Sequence, residues 1–494
     1  MSTLSSLLAA GLPAPFHAPW PRATIDAATW RQATARLTTG EWTLLGLWGE
    51  RDRVHMAVLA DAPREIGVLT LACPDGRFPS VGLHHRPAIR LERTVRDLFG
   101  LEPMGAEDAR PWLDHGTWTG GMPADYAFLP VHGENLHEIP VGPVHAGIIE
   151  PGHFRFTADG ETIVRLEQRL GYTHKGTESL LAGADLDRAA QLAGRISGDA
   201  TVAYAAGFAR AAEAALDITP PPRAVWLRAL MAELERIANH LGDFGAICND
   251  ASFAIMHAHC GILRERVLRT AASCFGHRLM MDRIVPGGVA VDISATGIAE
   301  VAALVGEIRP RLAQLVHLYD TTASLLERTV TTGVARPDLV RQFGAGGHVG
   351  RASGRDFDSR KWPGYAPYNS LRFDIPVLTE GDVNARVWIR IREIGESLGL
   401  IEQILAGLPA GALRIGFDPA TGTALEGMAL TESFRGDVLA WLRIEADGRI
   451  GRCHFRDPSW FHWPLLEVAV YGNIVADFPL CNKSFNCSYS GHDL

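Results

Sequence analysis

Two short polar segments hold the residue types with which this chain could do chemistry. They are Arg195-Ile196-Ser197-Gly198-Asp199-Ala200 and, at the other end, Cys487-Ser488-Tyr489-Ser490-Gly491-His492-Asp493-Leu494. Arg195 stands beside Gly and Asp in an otherwise Ala-rich stretch, where a guanidinium needs a partner if it is buried, and Asp199 is the obvious candidate. His145 lies between Gly/Pro-punctuated apolar residues. An imidazole titrates near neutrality and can donate to a carbonyl or deliver a proton; a structural histidine bonded to a loop carbonyl is the equal alternative. Glu233, Arg236 and His240 cluster at helical spacing, which suits a proton route or a buried ion-pair network locking two helices. Arg351, Arg355, Asp358 and Arg360 can brace a loop as salt-bridged residues, and Glu178 is placed with Glu233, Arg236, His240, Arg351 and Asp358 as a coupling or structural group.

The elements that must position these groups follow from periodicity and punctuation. Residues 42–60 read as a hairpin turning at Glu50–Arg53, and Ile66–Cys73 as a third strand. A helix with Leu91, Val95, Leu98 and Phe99 on one face stops at Gly100. Glu92, Arg93 and Asp97 could be no more than its solvated side. The Gly-, Pro- and His-rich stretch after Trp112 reads as a linker. Two strands joined by a tight loop carrying His145 or Glu150 open the next part. Helices are expected over about 201–216, 224–242, 261–276 and 295–328, the last with a bend at Pro310, and over 384–406; 344–367 reads as an ordered loop. Phe478, Leu480, Phe485 and Tyr489 interleave with Asn and Ser as a buried tail would.

The totals limit the function. A chain of 494 residues, 47% hydrophobic and 21% charged, is an ordinary globular protein of two or three domains. A net charge of −9 and the lack of a Lys/Arg run argue against nucleic acid as a partner. The seven Cys include no C-x-x-C pair and read as scattered reduced thiols. No basic residue precedes Arg22, as a secretory signal would need, and no apolar run approaches a membrane span. No G-x-G-x-x-G follows a strand, so a dinucleotide site is not expected.

Taken in order, several marks make the chain resemble one superfamily over roughly 75–494. They include Gly142-Pro143-Val144-His145, Glu150-Pro151-Gly152-His153, His174-Lys175-Gly176-Thr177-Glu178 and Arg195-Ile196-Ser197-Gly198. Further along come Glu233-Leu234-Glu235-Arg236, Arg264-Glu265-Arg266, Pro286-Gly287-Gly288, Arg351-Ala352-Ser353-Gly354 and Gly472-Asn473-Ile474-Val475-Ala476-Asp477. The family is the large subunit of membrane-bound, formate-hydrogenlyase-type NiFe hydrogenases, together with the homologous quinone-site subunit of complex I. Phe78-Pro79-Ser80-Val81 and the run Arg86–Gly100 resemble the smaller hydrophilic complex I subunit that neighbours it.

The resemblance implies an α+β fold: a small N-terminal α/β module (1–113), a linker (114–135) and a helix-rich hydrogenase-large-subunit-like domain with peripheral strands (136–494). NiFe members carry Cys where Ser197, Ala200, Ser488 and Gly491 stand, since soft Ni and Fe are held by thiolate pairs. The expected chain therefore binds no metal or cofactor of its own. Its cavity candidates are His145, Arg195 and Asp199, and an iron–sulfur cluster sits in a partner small subunit. The implied role is that of a subunit held through antiporter-like and other membrane proteins at the cytoplasmic face of the cell membrane, docking the small subunit and coupling electron transfer to the membrane part. The alternatives are a quinone-reducing subunit, with quinone as the ligand, and a non-catalytic scaffold.

Overall fold

The computed structural model describes residues 3–116, 118, 126–145 and 149–494. Residues 117 and 119–125 of the expected linker, and 146–148 of the loop bearing His145, lie outside the described residues.

The N-terminal region opens with α1 (Leu4–Ala9), β1 (Leu12–Pro13), β2 (His17–Ala18), β3 (Arg22–Ile25) and α2 (Ala27–Thr38), which is capped by Asp26. The expected hairpin and third strand follow as β4 (Trp42–Glu50), β5 (Arg53–Asp61) and β6 (Arg64–Ala72). They form a five-stranded sheet in the order β1-β3-β6-β5-β4, antiparallel except for β3 on β6. The central strands are almost wholly apolar because both faces are covered. On one side Leu44, Leu47, Met56 and Val58 pack with Trp30 and Leu37 of α2. On the other, Leu45, Trp48, Leu59 and Val68 meet Met428, Leu430, Leu439 and Trp441.

A small parallel pair, β7 (Arg77–Pro79) and β8 (Glu102–Met104), brackets α3 (Ile89–Phe99), which ends at Gly100 in the left-handed region as a C-terminal glycine should. Its charged residues are not a solvated face. Glu92 and Arg93 are buried: Glu92 accepts from Ser80 Oγ and Val81 N, and Arg93 donates to the Arg110 carbonyl. Asp97 accepts from the amides of Trp112 and Leu113, tying the start of the linker to the module.

Next, β9 (Leu136–Val141), β10 (His153–Asp159) and β11 (Thr162–Arg169) form an antiparallel sheet with β10 central. The connection from β9 to β10, residues 142–152, is longer than the tight loop expected from sequence. Short helices α4 (Thr177–Leu181) and α5 (Leu186–Ala193) lead to α6 (Thr201–Leu216) and α7 (Pro222–Asp250). α7 starts at the proline triplet, where a missing N–H costs nothing, and runs eight residues past the expected end. After α8 (Ala254–Phe275) and the two-residue strands β12 (Ile284–Val285) and β13 (Gly288–Val289) come α9 (Ala295–Thr321) and α10 (Ala323–Thr329). α9 is continuous through Pro310, and the interruption falls at Thr322 instead. The segment read as a loop, 344–367, begins directly after α11 (Pro337–Phe343) and contains all of α12 (Gly347–Arg351). α13 (Val383–Gly407) then packs along α7.

Beyond residue 407, where no strand is expected from the sequence, β14 (Leu425–Ser433), β15 (Gly436–Ile444) and β16 (Ile450–Arg456) form a meander, joined by β2 from the N-terminus. One face of this sheet covers the N-terminal sheet and the other lies on α6. The Ala-rich surface of α6 permits a close approach: a Cβ on Gly427 would stand 1.9 Å from the Ala211 carbonyl oxygen. The tail, α14 (Ser459–Ala469), α15 (Phe478–Phe485) and α16 (Tyr489–Asp493), returns into the core, with Phe485, His492 and Asp493 buried. Among the described residues no helix is long and apolar enough to cross a membrane.

Candidate functional site

The two segments that opened the sequence reading meet. Ser197 sits at the entry to α6 and Ser488 caps α16, and their hydroxyls are 3.0 Å apart. Ser488 Oγ also accepts from Gly491 N at 2.9 Å, and its own amide donates to Ser459 Oγ. Ala200, one turn after Ser197, packs in the same apolar cluster as Tyr204 and Leu494. Beside Gly491 there is no open space: a Cβ there would meet Asp457 Oδ2 at 2.6 Å and Tyr204 Oη at 2.8 Å. Those two atoms are hydrogen-bonded at 2.5 Å. The four positions thus converge on a cluster of hydroxyls and carboxylates, with Asp457 beside Gly491 and Asp199 on Ser197.

The tail is held in this corner by residues 173–175. Asp493 accepts from the Thr173 amide and hydroxyl, and its carbonyl bonds His174 Nδ1 at 2.7 Å. Lys175 Nζ donates to the carbonyls of Arg195 and Ile196. Burial alone would raise the Asp493 carboxyl; the hydrogen bond and charge of His492 and the Thr173 donors hold it below its ordinary value. His492 itself stacks on Trp460 at 3.9 Å.

Arg195 is placed differently from the expectation. Its side chain is 44% exposed and pairs with Asp282, not Asp199. It follows Gly194, the turn that ends α5, so the guanidinium runs back along the surface to the Gln191 carbonyl. Asp199 pairs instead with the buried Arg435 of the β14–β15 turn, at 2.5 and 2.9 Å, and also accepts from Ser197 Oγ at 2.7 Å. Asp199 is packed about by protein on most sides, yet 36% of its side chain is accessible, so solvent tempers this ion pair. His145 is exposed in the 142–152 loop. Glu150 of the same loop reaches the corner, where its Oε2 accepts from Ser490 N at 3.0 Å. His153 Nδ1 bonds the Gly142 carbonyl at 2.9 Å and fastens the base of the loop.

A second, deeper assembly joins α7, α13 and the β-meander. Glu393 of α13 accepts from His240 Nε2 at 2.7 Å and from Arg351 at 2.7 Å. Arg351 also reaches Glu432 at 3.0 Å and Asp358 at 3.4 Å. Asp358 pairs with Arg360, which reaches Glu233; Glu233 further accepts from Tyr368, Ser397 and Arg236. Every member is buried. Burial works against the charge on each carboxylate, but Arg351 and His240 hold Glu393 well below the usual carboxylate range, and Arg360 and Arg236 hold Glu233 down. Glu432 differs: burial, with Asp358 nearby, pushes it up to about 7. Arg435, the partner of Asp199, also donates to the Asn486 carbonyl, and Asn486 Nδ2 reaches Asp243, the partner of Arg390. Glu178 is separate from the group in which the sequence placed it: it binds Arg452 and His454 of β16, each at 2.7 Å.

The residues that sequence reasoning missed, Tyr204, Asp457, Arg435, Glu393 and Glu432, mostly lie on or next to the unanticipated meander. The turn signals Arg435-Gly436 and Asp447-Gly448, set between apolar runs, could have revealed it.

With this geometry in view, comparison with known proteins defines the class. The family model for the respiratory-chain NADH dehydrogenase 49 kDa subunit matches residues 252–423. The chain is 30% identical over 353 residues to the carbon monoxide-induced hydrogenase of Rhodospirillum rubrum, covering 71% of this chain and 98% of that one. To formate hydrogenlyase subunit 5 of Escherichia coli (strain K12) it is 29% identical over 438 residues, covering 84% and 77%. A chain of the membrane-bound sulfane sulfur reductase, an archaeal respiratory membrane complex, superposes with a TM-score of 0.69 at 26% identity, covering 74% of this chain and all of that one. The chain belongs to the family of the complex I 49 kDa subunit and the related hydrogenase large subunits, as its motifs implied.

Proposed function

We propose that this chain is the large peripheral subunit of a membrane-bound, hydrogenase-related redox assembly, that it has no NiFe centre of its own, and that it docks an iron–sulfur small subunit at the cytoplasmic face. The observation that carries the reading is the corner itself. A thiolate-bridged binuclear centre needs four sulfurs. The donor set here is two serine hydroxyls in mutual contact, an alanine and a glycine, with the Tyr204–Asp457 hydrogen bond against the glycine. That set does not fit Ni and Fe.

The buried charges suggest the coupling element. An ionic network from Glu233 through Arg360, Asp358, Arg351 and Glu393 to His240 is costly to build and strongly directional, so a change at one end alters the balance of charge at the other. This is the feature on which transmission towards antiporter-like membrane subunits would rest.

The test is native affinity purification from detergent-solubilised membranes, with the partners identified by mass spectrometry and the metals quantified. Recovery of an iron–sulfur small subunit and antiporter-like membrane proteins, with nickel far below one per chain, is expected. Recovery of the chain alone, or with stoichiometric nickel, overturns the reading. Specific labelling of the assembly near His145 by a photoreactive quinone would move it to the quinone-reducing alternative.

A further inference from the structure

The ion pairs around Glu393 and Glu233 form a closed set. Contacts of 3.9 Å or less link the carboxylates Glu233, Asp358, Glu393 and Glu432, the guanidiniums Arg236, Arg351 and Arg360, and the His240 imidazole. Among the described residues no further ion pair joins this set to the rest of the chain, and every member is buried. Four carboxylates therefore face three guanidiniums. With the imidazole neutral, one negative charge is in excess, and a buried uncompensated charge is costly. One added proton removes it.

His240 is a poor seat for that proton. Its Nε2 donates to Glu393 at 2.7 Å, and its Nδ1 has no hydrogen-bond partner among the described residues. In the neutral ring Nδ1 is an unpaired acceptor; in the imidazolium it would be an unpaired buried donor, the costlier state. Burial, with Arg390 and Arg236 nearby, outweighs Glu393 and holds the ring neutral.

The carboxylates are not equivalent either. Glu233, Asp358 and Glu393 each meet two guanidiniums, whereas Glu432 meets Arg351 alone, at 3.0 Å. Its other oxygen, Oε2, receives only the Ser359 amide and hydroxyl, at 2.9 and 3.0 Å. A serine hydroxyl can turn from donor to acceptor, so a proton on Oε2 keeps both contacts. Burial and the nearby Asp358 push this carboxyl up to about 7, in the same direction as the count of charges.

The surrounding elements do not supply the missing cation. Asp437 of β15 is paired with Arg456 of β16, and Arg390 of α13 with Asp243. Arg355 donates to the Ala345 carbonyl and spreads its charge over Asp437, Asp61 and Glu432, with no ion pair among the described residues. Arg210 of α6 donates to the Leu430 carbonyl and the Thr431 hydroxyl and stacks on Tyr365, whose Oη accepts from the Glu432 amide. Arg236 also donates to the Glu432 carbonyl, which is not the titrating group.

We infer that this closed set is a proton-binding site: one proton from solvent adds to the Glu432 carboxylate at Oε2, towards Ser359, and neutralises the network. The inference rests on these contacts and not on the redox reading or its partners, so the isolated full-length chain tests it.

The measurement is infrared spectroscopy from about pH 5 to about pH 9, in which the C=O band of a protonated carboxyl fades as its proton leaves. Glu432→Gln is close in shape to the protonated acid and should fold as the wild type does. It should lack one carboxyl's share of the fading band, the share centred near pH 7. Asp358→Asn leaves three carboxylates to three guanidiniums with Glu432 intact, so that same share should move down by about two pH units. Thermal melting confirms that the variants fold, and the Glu432→Gln comparison decides alone if Asp358→Asn does not. Wild-type and Glu432→Gln spectra that titrate alike overturn the inference. So does a folded Asp358→Asn protein that keeps the wild-type midpoint.

Discussion

Ser197 Oγ and Ser488 Oγ are 3.0 Å apart although 291 positions separate them in the chain. Each hydroxyl has a further partner, Asp199 for Ser197 and the Gly491 amide for Ser488, so the contact also joins an ion pair to a helix cap. Ser488→Ala should lower stability by about 1–2 kcal/mol, the sum of a lost N-cap and a buried hydrogen bond. Ser197→Ala should lose about 1 kcal/mol. In a double-mutant cycle followed by urea denaturation, the pair should show a coupling of about 0.5–1 kcal/mol. Strict additivity would mean that the hydroxyls do not interact.

Arg195 and Asp199, four residues apart in the same motif, should respond to substitution to very different degrees. Arg195→Ala removes a surface pair whose side chains are 44% and 35% exposed, and stability should move by no more than about 0.5 kcal/mol. Asp199→Asn strips a buried guanidinium of its closest carboxylate. Because Asp199 is partly accessible, the expected loss is about 2 kcal/mol, less than for a sealed pair. Denaturation midpoints of the two variants make the comparison directly.

Glu393 is where α7, α13 and α12 share charge. Glu393→Gln leaves both His240 and Arg351 without their closest carboxylate, in a region where neither is solvated. A loss of about 3 kcal/mol is expected in guanidinium denaturation. Retention of wild-type stability would show that Glu432 and Asp358 alone neutralise Arg351.

The pH dependence has a definite sign. Glu235 is buried beneath the first turn of α6; burial pushes its carboxyl up to about 8, although the Val202 and Ala203 amides oppose the shift. The folded state then keeps a proton that the unfolded chain releases near pH 4.3. Its contribution is fully present below about pH 4.3 and is lost as pH rises towards about 8, with a slope of about 1.4 kcal/mol per pH unit. Glu235→Gln should flatten that slope in urea titrations between pH 5 and 8. Glu178 acts in the reverse direction: its stabilisation is complete above the ordinary carboxylate range and disappears as pH falls towards about 2.

Much of the local structure was legible in the residues themselves. The apolar stripe of α7, the glycine stop of α3, the hairpin β4–β5 and the full extent of α6 follow from periodicity, capping and turn chemistry, which act over a few neighbouring residues. So did the family, because many short marks keep their order along the chain, and so did the absence of thiolates at Ser197, Ala200, Ser488 and Gly491. The groupings of Glu233 with Arg236 and of Asp358 with Arg351 and Arg360 were legible from their spacing, but the partners of other charges were not. Asp199 stands four residues from Arg195, a distance that invites pairing, yet the turn after α5 sends Arg195 into solvent while the β14–β15 turn brings Arg435 to Asp199 from 236 positions away. Glu178 was grouped with Glu233 by its charge, and the strand that claims it, β16, was not foreseen. Sequence fixes which side chains must find partners, because an unpaired buried charge is untenable. Which partners they find is decided by sheet register and helix packing, interactions between residues hundreds of positions apart that no local pattern encodes.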